Sequence, residues 1–160
     1  MQESNVERLQ ITKEGMQKYE EELNDLKGRR REEIAQKIKE AREQGDLSEN
    51  AEYDAAKDEQ RDIEARIEKI ENILKNAVVV EKSDLKRGTI GVGCHVKLMD
   101  LKENEEIEYD IVGATEADSL NGKISNESPL GSALEGKKKG DVVEVQLTRG
   151  KLKVEVLKVS

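Results

Sequence analysis

The chain has 160 residues and a formal net charge of −8; charged residues make up 40% of it, and it contains no Phe or Trp. This composition supplies too few large apolar side chains for a single core of that size, so we expect an extended, surface-rich architecture. The acidic balance argues against non-specific binding of nucleic acid through bulk charge. Any such contact should come from a local basic patch or through a partner protein.

The N-terminal sequence and the cysteine content predict a cytoplasmic protein with no membrane partner. The segment MQESNVERLQ lacks the apolar core of a secretory signal. No apolar run approaches the roughly 18 residues of a spanning helix. Cys94 is the only cysteine, so the chain forms no intramolecular disulfide, as is typical of a reducing compartment.

Apolar residues recur at heptad spacing between Thr12 and Asn76, a stretch without Pro. Thr12 is the expected start of the first helix, Gly45 breaks the pattern, and the first seam resumes shifted by one residue after Arg30. Such spacing predicts two amphipathic helices packed as an antiparallel coiled-coil hairpin. The seam positions are Met16, Tyr19, Leu23, Leu26, Ile34, Ile38 and Ala41, followed by Ala56, Ile63, Ile67, Ile70 and Leu74.

Beyond Asn76 the composition shifts to alternating β-branched residues, which predicts a small antiparallel sheet. One short helix is expected in SPLGSALEG, with Ser128 as its N-cap and Pro129 in its first turn. The fold class is therefore α+β, with a hairpin domain at 1–82 and a β domain at 83–160. The predicted strands include 105–112, 120–125, 141–148 and 151–159.

An acidic turn, QGDLSEN at 44–50, separates the two predicted helices. Asp46 and Glu49 have the spacing of a capping box, and a helix start stabilises one or two acids. Six acids against one base between Asp46 and Glu59 exceed that need. Exposed carboxylates also form weak Mg²⁺ sites that substrate phosphates complete. The tip, residues 45–50, is therefore either a cap or a metal-binding pair donated to a partner.

The first helix also segregates its cations. Arg31, Lys39 and Arg42 fall within about 80° of one another on a helical wheel. This basic track is either a solvated face with i,i+4 ion pairs or a path for a phosphate backbone that leads toward the tip.

Cys94 and His95 are adjacent, and no second Cys or His exists to complete a metal site, which favours a structural role for both. The chain has no glycine-rich phosphate loop, Ser-His-Asp set or HExxH motif, so we do not expect an autonomous enzyme.

Three segments in order, AREQGDLSENAEYDAAKDEQ (41–60), IVGATEAD (111–118) and SNESPLGSALEGKKKGDVVEV (125–145), resemble the bacterial transcript cleavage factors of the Gre family. The similarity covers nearly the whole chain. It implies an N-terminal coiled-coil hairpin and a C-terminal domain of FKBP-like fold. It also implies that the partner is RNA polymerase, whose secondary channel the hairpin enters.

The resemblance assigns roles to individual residues. Asp46 and Glu49 match the acidic pair that takes part in catalysis by helping the polymerase hold its second Mg²⁺, which the factor does not bind stably alone. The polymerase then hydrolyses its own backtracked RNA at the nascent 3′ end. Ser128 and Pro129 match the family's polymerase-contact segment, and the basic track would face the RNA.

The sequence also leaves other functional hypotheses open. A Gre-like factor could occupy the channel as an inhibitor without promoting cleavage, although retention of Asp46 and Glu49 favours a cleavage factor. A structural coiled-coil module would not bind polymerase at all. The C-terminal domain has one aromatic residue, Tyr109, so we expect no prolyl isomerase activity, and we expect the chain to act as a monomer.

Overall fold

The computed structural model describes residues 8–45, 50–81 and 85–160, and these fall into two units. One unit, the helical hairpin, comprises Met16–Asn76. The other, the β unit, combines the segment up to Gly15 with Ala77–Ser160. The predicted domain boundary between residues 82 and 83 lies outside the described residues and stays a prediction. Within the described ranges, no helix has the length and apolarity needed to cross a membrane.

The hairpin follows the predicted helical pattern. Its first arm is a long helix made of α1 (Lys13–Asp25), a π-helical turn (Leu26–Arg30) and α2 (Arg31–Glu43). Its second arm is α3 (Ala51–Asn76). Most of the predicted seam is confirmed. Seven of its positions lie in the apolar core between the helices, and Ala41 and Ile70 are also buried, whereas Met16, Tyr19 and Leu74 are only partly buried. The buried residues of that core are Ile34, Ile38, Ala56, Ile63 and Ile67, with Leu23, Leu26 and Tyr53 packed against them.

The π-helical turn gives the physical reason for the one-residue shift in the first seam. A π turn accommodates one extra residue in an otherwise α-helical run. Leu26 and Ile34 are separated by eight residues rather than the seven of a heptad, and the π turn lies between them. The extra residue is thereby absorbed, and both halves of the seam face α3. Gly28 lies in this turn, and a side chain added there would meet nothing within 4 Å.

Ion pairs show that the two long helices are antiparallel. Arg66 forms a bidentate pair with Glu22, with N···O distances of 2.7 and 2.9 Å. Further toward the tip, Lys37 donates to Glu59 at 3.1 Å. From the first pair to the second, the residue number therefore increases along the first helix and decreases along α3, as in an antiparallel pair. The Arg66 guanidinium holds the pKa of Glu22 below its ordinary value, and Lys37 does the same for Glu59.

The β unit is built on a five-stranded sheet whose strands, in spatial order, are β5 (Lys123–Ser125), β4 (Glu105–Val112), β3 (His95–Asp100), β7 (Gly150–Val159) and β6 (Val142–Leu147). One helix, α4 (Pro129–Leu134), follows β5 in the chain. The predicted strand at 105–112 is confirmed as β4, and the predicted short helix is confirmed as α4. The core of the unit is apolar and includes Val96, Leu98, Leu134 and Val154, all of them buried.

One predicted strand is shorter than expected. The structure begins β5 at Lys123, whereas Ser119–Asn121 forms a 3-10 turn. The reason is the Asn-Gly pair that follows Leu120, because Gly122 adopts φ 70°, in the left-handed region that ends a strand. β5 also pairs parallel with β4, whereas the other pairs in this sheet are antiparallel.

A second, two-stranded sheet was not predicted. β1 (Leu9–Ile11) and β2 (Ala77–Val79) pair in parallel, so the segment before α1 joins the segment after α3. Each strand has three residues, which is too short for a period-two pattern to be recognised.

Glu116, in the GATEAD segment, explains how α1 begins. Its carboxylate accepts hydrogen bonds from the backbone N–H and the hydroxyl of Thr12 and from the N–H of Gly113. The Thr12 hydroxyl in turn accepts from the Gly15 N–H at 3.0 Å, which confirms Thr12 as the start of the helix. A Cβ on Gly15 would lie 1.9 Å from a Glu116 carboxylate oxygen, so this contact requires glycine.

Candidate functional site

The acidic pair predicted from sequence, Asp46 and Glu49, lies outside the described residues. The structure does give the residues on either side of it. α2 ends at Glu43, and α3 begins at Ala51. In the sequence, the pair therefore falls between the last residue of α2 and the first residue of α3.

Asn50 is the residue that caps α3. Its side-chain oxygen accepts a hydrogen bond from the Tyr53 N–H at 3.1 Å, and its backbone carbonyl accepts from the Asp54 N–H at 3.1 Å. The Asn50 amide also donates to the carbonyl of Ala41 in the last turn of α2. The expected capping role of Asp46 and Glu49 lies outside the described residues and stays a prediction. Asn is among the strongest N-cap residues, and here it directly precedes the helix.

The acids on α3 near the tip divide into paired and unpaired residues. Glu59 pairs with Lys37 and Arg30, and Asp58 pairs with Arg61. Glu52 and Asp54 are exposed in the first turn of α3, and neither forms an ion pair with any described residue. Among the described residues, no three Asp, Glu, His or Cys side chains lie close enough together to hold a metal ion.

Arg31, the first member of the predicted basic track, forms an ion pair across the hairpin. Its guanidinium donates to both carboxylate oxygens of Glu64, at 2.8 and 2.9 Å. This fork lowers the pKa of Glu64 and raises that of Arg31. The side chains stay about half exposed, so the pair is screened by solvent.

The other two members of the basic track lie closer to the tip. Lys39 is exposed and forms no ion pair with a described residue. The Arg42 guanidinium lies 5.8 Å from the centre of the Tyr53 ring, a cation–π distance. Arg42 is therefore held beside the first turn of α3. That the track faces RNA stays a prediction.

Ser128 has the capping role predicted for it. Its hydroxyl accepts from the Gly131 N–H at 3.1 Å and donates to the Ser125 carbonyl at 2.6 Å. Both hydrogen-bonding capacities of this hydroxyl are thus used inside the protein, and they tie the start of α4 to the end of β5.

The same turn leaves Pro129 exposed at the first position of α4. Gly131 is buried, and a Cβ added to it would lie 2.0 Å from the Ser125 carbonyl oxygen. Glycine at this position lets α4 approach β5 closely, and Ser128 locks the approach. Of the two predicted contact residues, Pro129 is therefore the one whose side chain is available to a partner.

The Cys94–His95 pair lies at the start of β3. Cys94 is buried, with its sulfur 3.8 Å from the Thr89 carbonyl oxygen. His95 is partly exposed, and its Nδ1 lies 2.6 Å from a carboxylate oxygen of Asp110 on the neighbouring strand.

Comparison with known proteins identifies the family. The profile of the transcription elongation factor N-terminal domain, GreA/GreB type, matches residues 9–79, and the profile of the GreA/GreB C-terminal domain matches residues 85–160. The chain belongs to the GreA/GreB family of transcription elongation factors. The two matched segments together span both the helical hairpin and the five-stranded sheet.

Individual members of the GreA/GreB family are similar over almost their full length. The chain is 59% identical to the transcription elongation factor GreA of Lachnoclostridium phytofermentans over 93% of each chain. It is 54% identical to GreA of Thermoanaerobacter pseudethanolicus, over 93% of this chain and 95% of the relative. Among solved structures, the GreA factor homolog 1 protein of Thermus thermophilus is 32% identical and covers 96% of this chain, with a TM-score of 0.44.

Two residues inside the GreA/GreB motifs have structural roles that sequence reasoning missed. Asn50 closes the segment around the acidic pair, and Glu116 holds Thr12 from 104 positions away in the chain. A capping signal was present at Asn50, but the Asp46–Glu49 spacing matched a capping box as well. Nothing local to Glu116 indicates its distant partner.

Proposed function

We propose that this chain stimulates RNA polymerase to hydrolyse its own backtracked transcript. The helical hairpin enters the secondary channel of the polymerase and presents Asp46 and Glu49 at the active site. The chain is thus an accessory factor, and the polymerase performs the hydrolysis. Release of the 3′ fragment of the nascent RNA then returns an arrested complex to elongation.

The observation that carries this proposal is the cap formed by Asn50. Asn50 supplies the hydrogen-bond acceptor for the Tyr53 N–H at the start of α3, so this helix has a cap among the described residues. A helix start favours one or two acids, whereas the six between Asp46 and Glu59 exceed that need and repel one another, which calls for another reason. Binding of a cation supplies one.

The donor chemistry of the pair fits Mg²⁺, which prefers carboxylate oxygens and is commonly held by one or two of them together with substrate phosphates. In a two-metal site the ion supplies stabilisation of the attacking and leaving oxygens of the displacement. The contribution of Asp46 and Glu49 is to bring negative charge to the second metal position, where the polymerase alone holds Mg²⁺ only weakly.

In this proposal, other residues contact the polymerase and the RNA. Pro129 is exposed at the start of α4, where it contacts the polymerase. Lys39 and Arg42 lie on α2 near the tip, where they face the phosphates of the nascent RNA 3′ end. Arg42 is held in place by the Tyr53 ring.

The experiment is cleavage of the transcript in a stalled, backtracked complex by Asp46→Asn and Glu49→Gln variants. A matched control exists in Glu52→Gln and Asp54→Asn, which remove the same charge from exposed acids in the first turn of α3. We expect the first two to abolish cleavage while polymerase binding persists, and the control to retain it. A factor that binds and inhibits without cleavage in its wild-type form would instead be a channel-binding inhibitor.

A further inference from the structure

Two tight turns bring a second group of cations together on the β unit. The first is closed by the backbone N–H and the hydroxyl of Thr89, which both donate to the Lys86 carbonyl, at 3.0 and 2.6 Å. The second is closed by the Asp141 N–H, which donates to the Lys138 carbonyl at 3.0 Å. An antiparallel bridge between Thr89 and Lys138 fixes the turns side by side.

These turns concentrate positive charge in a chain that is acidic as a whole. The turn patch is defined as Lys86, Arg87, Lys137, Lys138 and Lys139. All five side chains are exposed, and none forms an ion pair with a residue in the described ranges. Glycines in the left-handed region shape both turns: φ is 81° at Gly88 and 92° at Gly140. The glycines thus allow the backbone conformation of the two turns that carry the patch.

The surroundings of the patch favour a protein partner over a nucleic acid. The patch contains no aromatic side chain, so it offers no platform on which the bases of a single strand could stack. A duplex is a long polyanion, and a chain of net charge −8 repels it beyond the patch. An acidic patch on a protein is a local feature that five neighbouring cations can match.

The turn patch also lies close to the proposed polymerase contact, because α4 connects them. α4 starts at Pro129 and has six residues, a length of about 9 Å. Lys137 follows the end of this helix by three residues. Pro129 and the patch therefore lie near opposite ends of the same short helix, within the span of one protein interface.

We propose that the turn patch binds an acidic surface of RNA polymerase next to the α4 contact and accelerates docking of the factor. This inference rests on the proposed function, because it assumes the polymerase as partner. Charges at the rim of an interface act chiefly on the association rate, and their effect weakens as salt screens them. The patch should therefore change how fast the factor binds more than how long it stays bound.

The test compares two variants of the full chain that carry the same net charge. One replaces Lys137, Lys138 and Lys139 by Gln, and the other makes the same replacement at the exposed residues Lys102, Lys153 and Lys158. Association with purified core RNA polymerase free of nucleic acid is measured at low and at moderate salt. Thermal unfolding of both variants establishes that each retains its fold.

We expect the patch variant to associate roughly tenfold more slowly at low salt, with a weaker dependence on salt, while the control matches the wild type. Equal slowing of both variants would show that only total charge matters and would overturn the proposal. So would a patch variant that binds polymerase normally but loses affinity for a DNA duplex. If the wild type itself fails to bind polymerase, the proposed function fails as well, which separates the two claims.

Discussion

The side chain of Asn50 joins the two helices of the hairpin at their far ends. Its oxygen caps α3 through the Tyr53 N–H, and its amide donates to the carbonyl of Ala41 in α2. A single residue thus satisfies one orphan donor at the start of a helix and one orphan acceptor at the end of another. Because the acidic pair lies directly before it, Asn50 fixes one end of the segment that carries Asp46 and Glu49.

Replacing Asn50 by Ala should therefore destabilise the hairpin. Loss of the cap alone costs about 1 kcal/mol, and loss of the contact to Ala41 adds to it. Asn50→Ser keeps a capping oxygen but has no amide to reach Ala41, so its loss should be smaller. Denaturant unfolding of the three proteins measures the difference. Equal stability of the Ala variant and the wild type would show that another residue caps α3.

Deleting Gly28 should convert the π turn into continuous α-helix. Leu26 and Ile34 would then be seven residues apart, and the heptad seam would be unbroken. Removing a glycine from a helix interior is worth about 1 kcal/mol, which at this chain length raises the melting temperature by about 2–4 °C. Deleting Lys37 instead is the control, because it moves Ile38 and Ala41 off the seam. A Gly28 deletion as damaging as the control would mean that the π turn itself stabilises the hairpin.

The hairpin should lose stability in acid. Hydrogen bonds from Arg66, Lys37 and Arg31 hold the pKa values of Glu22, Glu59 and Glu64 below their ordinary range. A lowered carboxyl pKa stabilises the folded state at pH values above the unfolded pKa, and this stabilisation is lost as the pH falls through the lowered, folded-state pKa.

The measurement is the melting temperature between pH 7 and pH 3. Glu64→Gln has no charge to lose at that position, so its melting temperature should change less over this range than that of the wild type. An identical pH dependence in both proteins would show that the Arg31–Glu64 pair adds no measurable stability.

Substitutions at Pro129 and Ser128 should have different effects on polymerase affinity and on stability. Pro129→Ala removes an exposed side chain, so it should weaken affinity for RNA polymerase, and the melting temperature should fall only slightly because the variant lacks the fixed φ of Pro at the start of α4. Ser128→Ala removes the cap of α4 and the hydrogen bond to Ser125, so it should also lower stability by about 1 kcal/mol. Polymerase affinity and thermal unfolding are measured on the same preparations. A Pro129 variant with wild-type affinity would place the contact elsewhere.

Local signals allowed much of this fold to be predicted, and non-local contacts account for the rest. Ser128 and Thr12 were predicted because a cap depends on residues within one turn of it. The shift of the seam after Arg30 was visible, but the π turn that absorbs it was not. The pairing of Ile11 with Val79 and the contact of Glu116 with Thr12 join residues far apart in sequence, and no local pattern indicates them.

In the candidate site, too, local signals could be predicted from the sequence and non-local contacts could not. The acidic pair at 46 and 49 was recognised from its spacing and its family motif, but the spacing also matched a capping box. Only the observed contacts of Asn50 show that it caps α3. In the same way, the helical wheel grouped Arg31 with Lys39 and Arg42, whereas the structure pairs Arg31 with Glu64 across the hairpin.

The most direct test of the central claim is the Mg²⁺ dependence of transcript cleavage. The rate is measured on a backtracked complex with saturating wild type or Asp46→Asn, over a series of Mg²⁺ concentrations. If Asp46 helps to hold the ion, the variant should require a higher Mg²⁺ concentration to reach half its maximal rate and should regain part of its activity there. A variant that cleaves at the wild-type rate with an unchanged Mg²⁺ requirement would contradict the account.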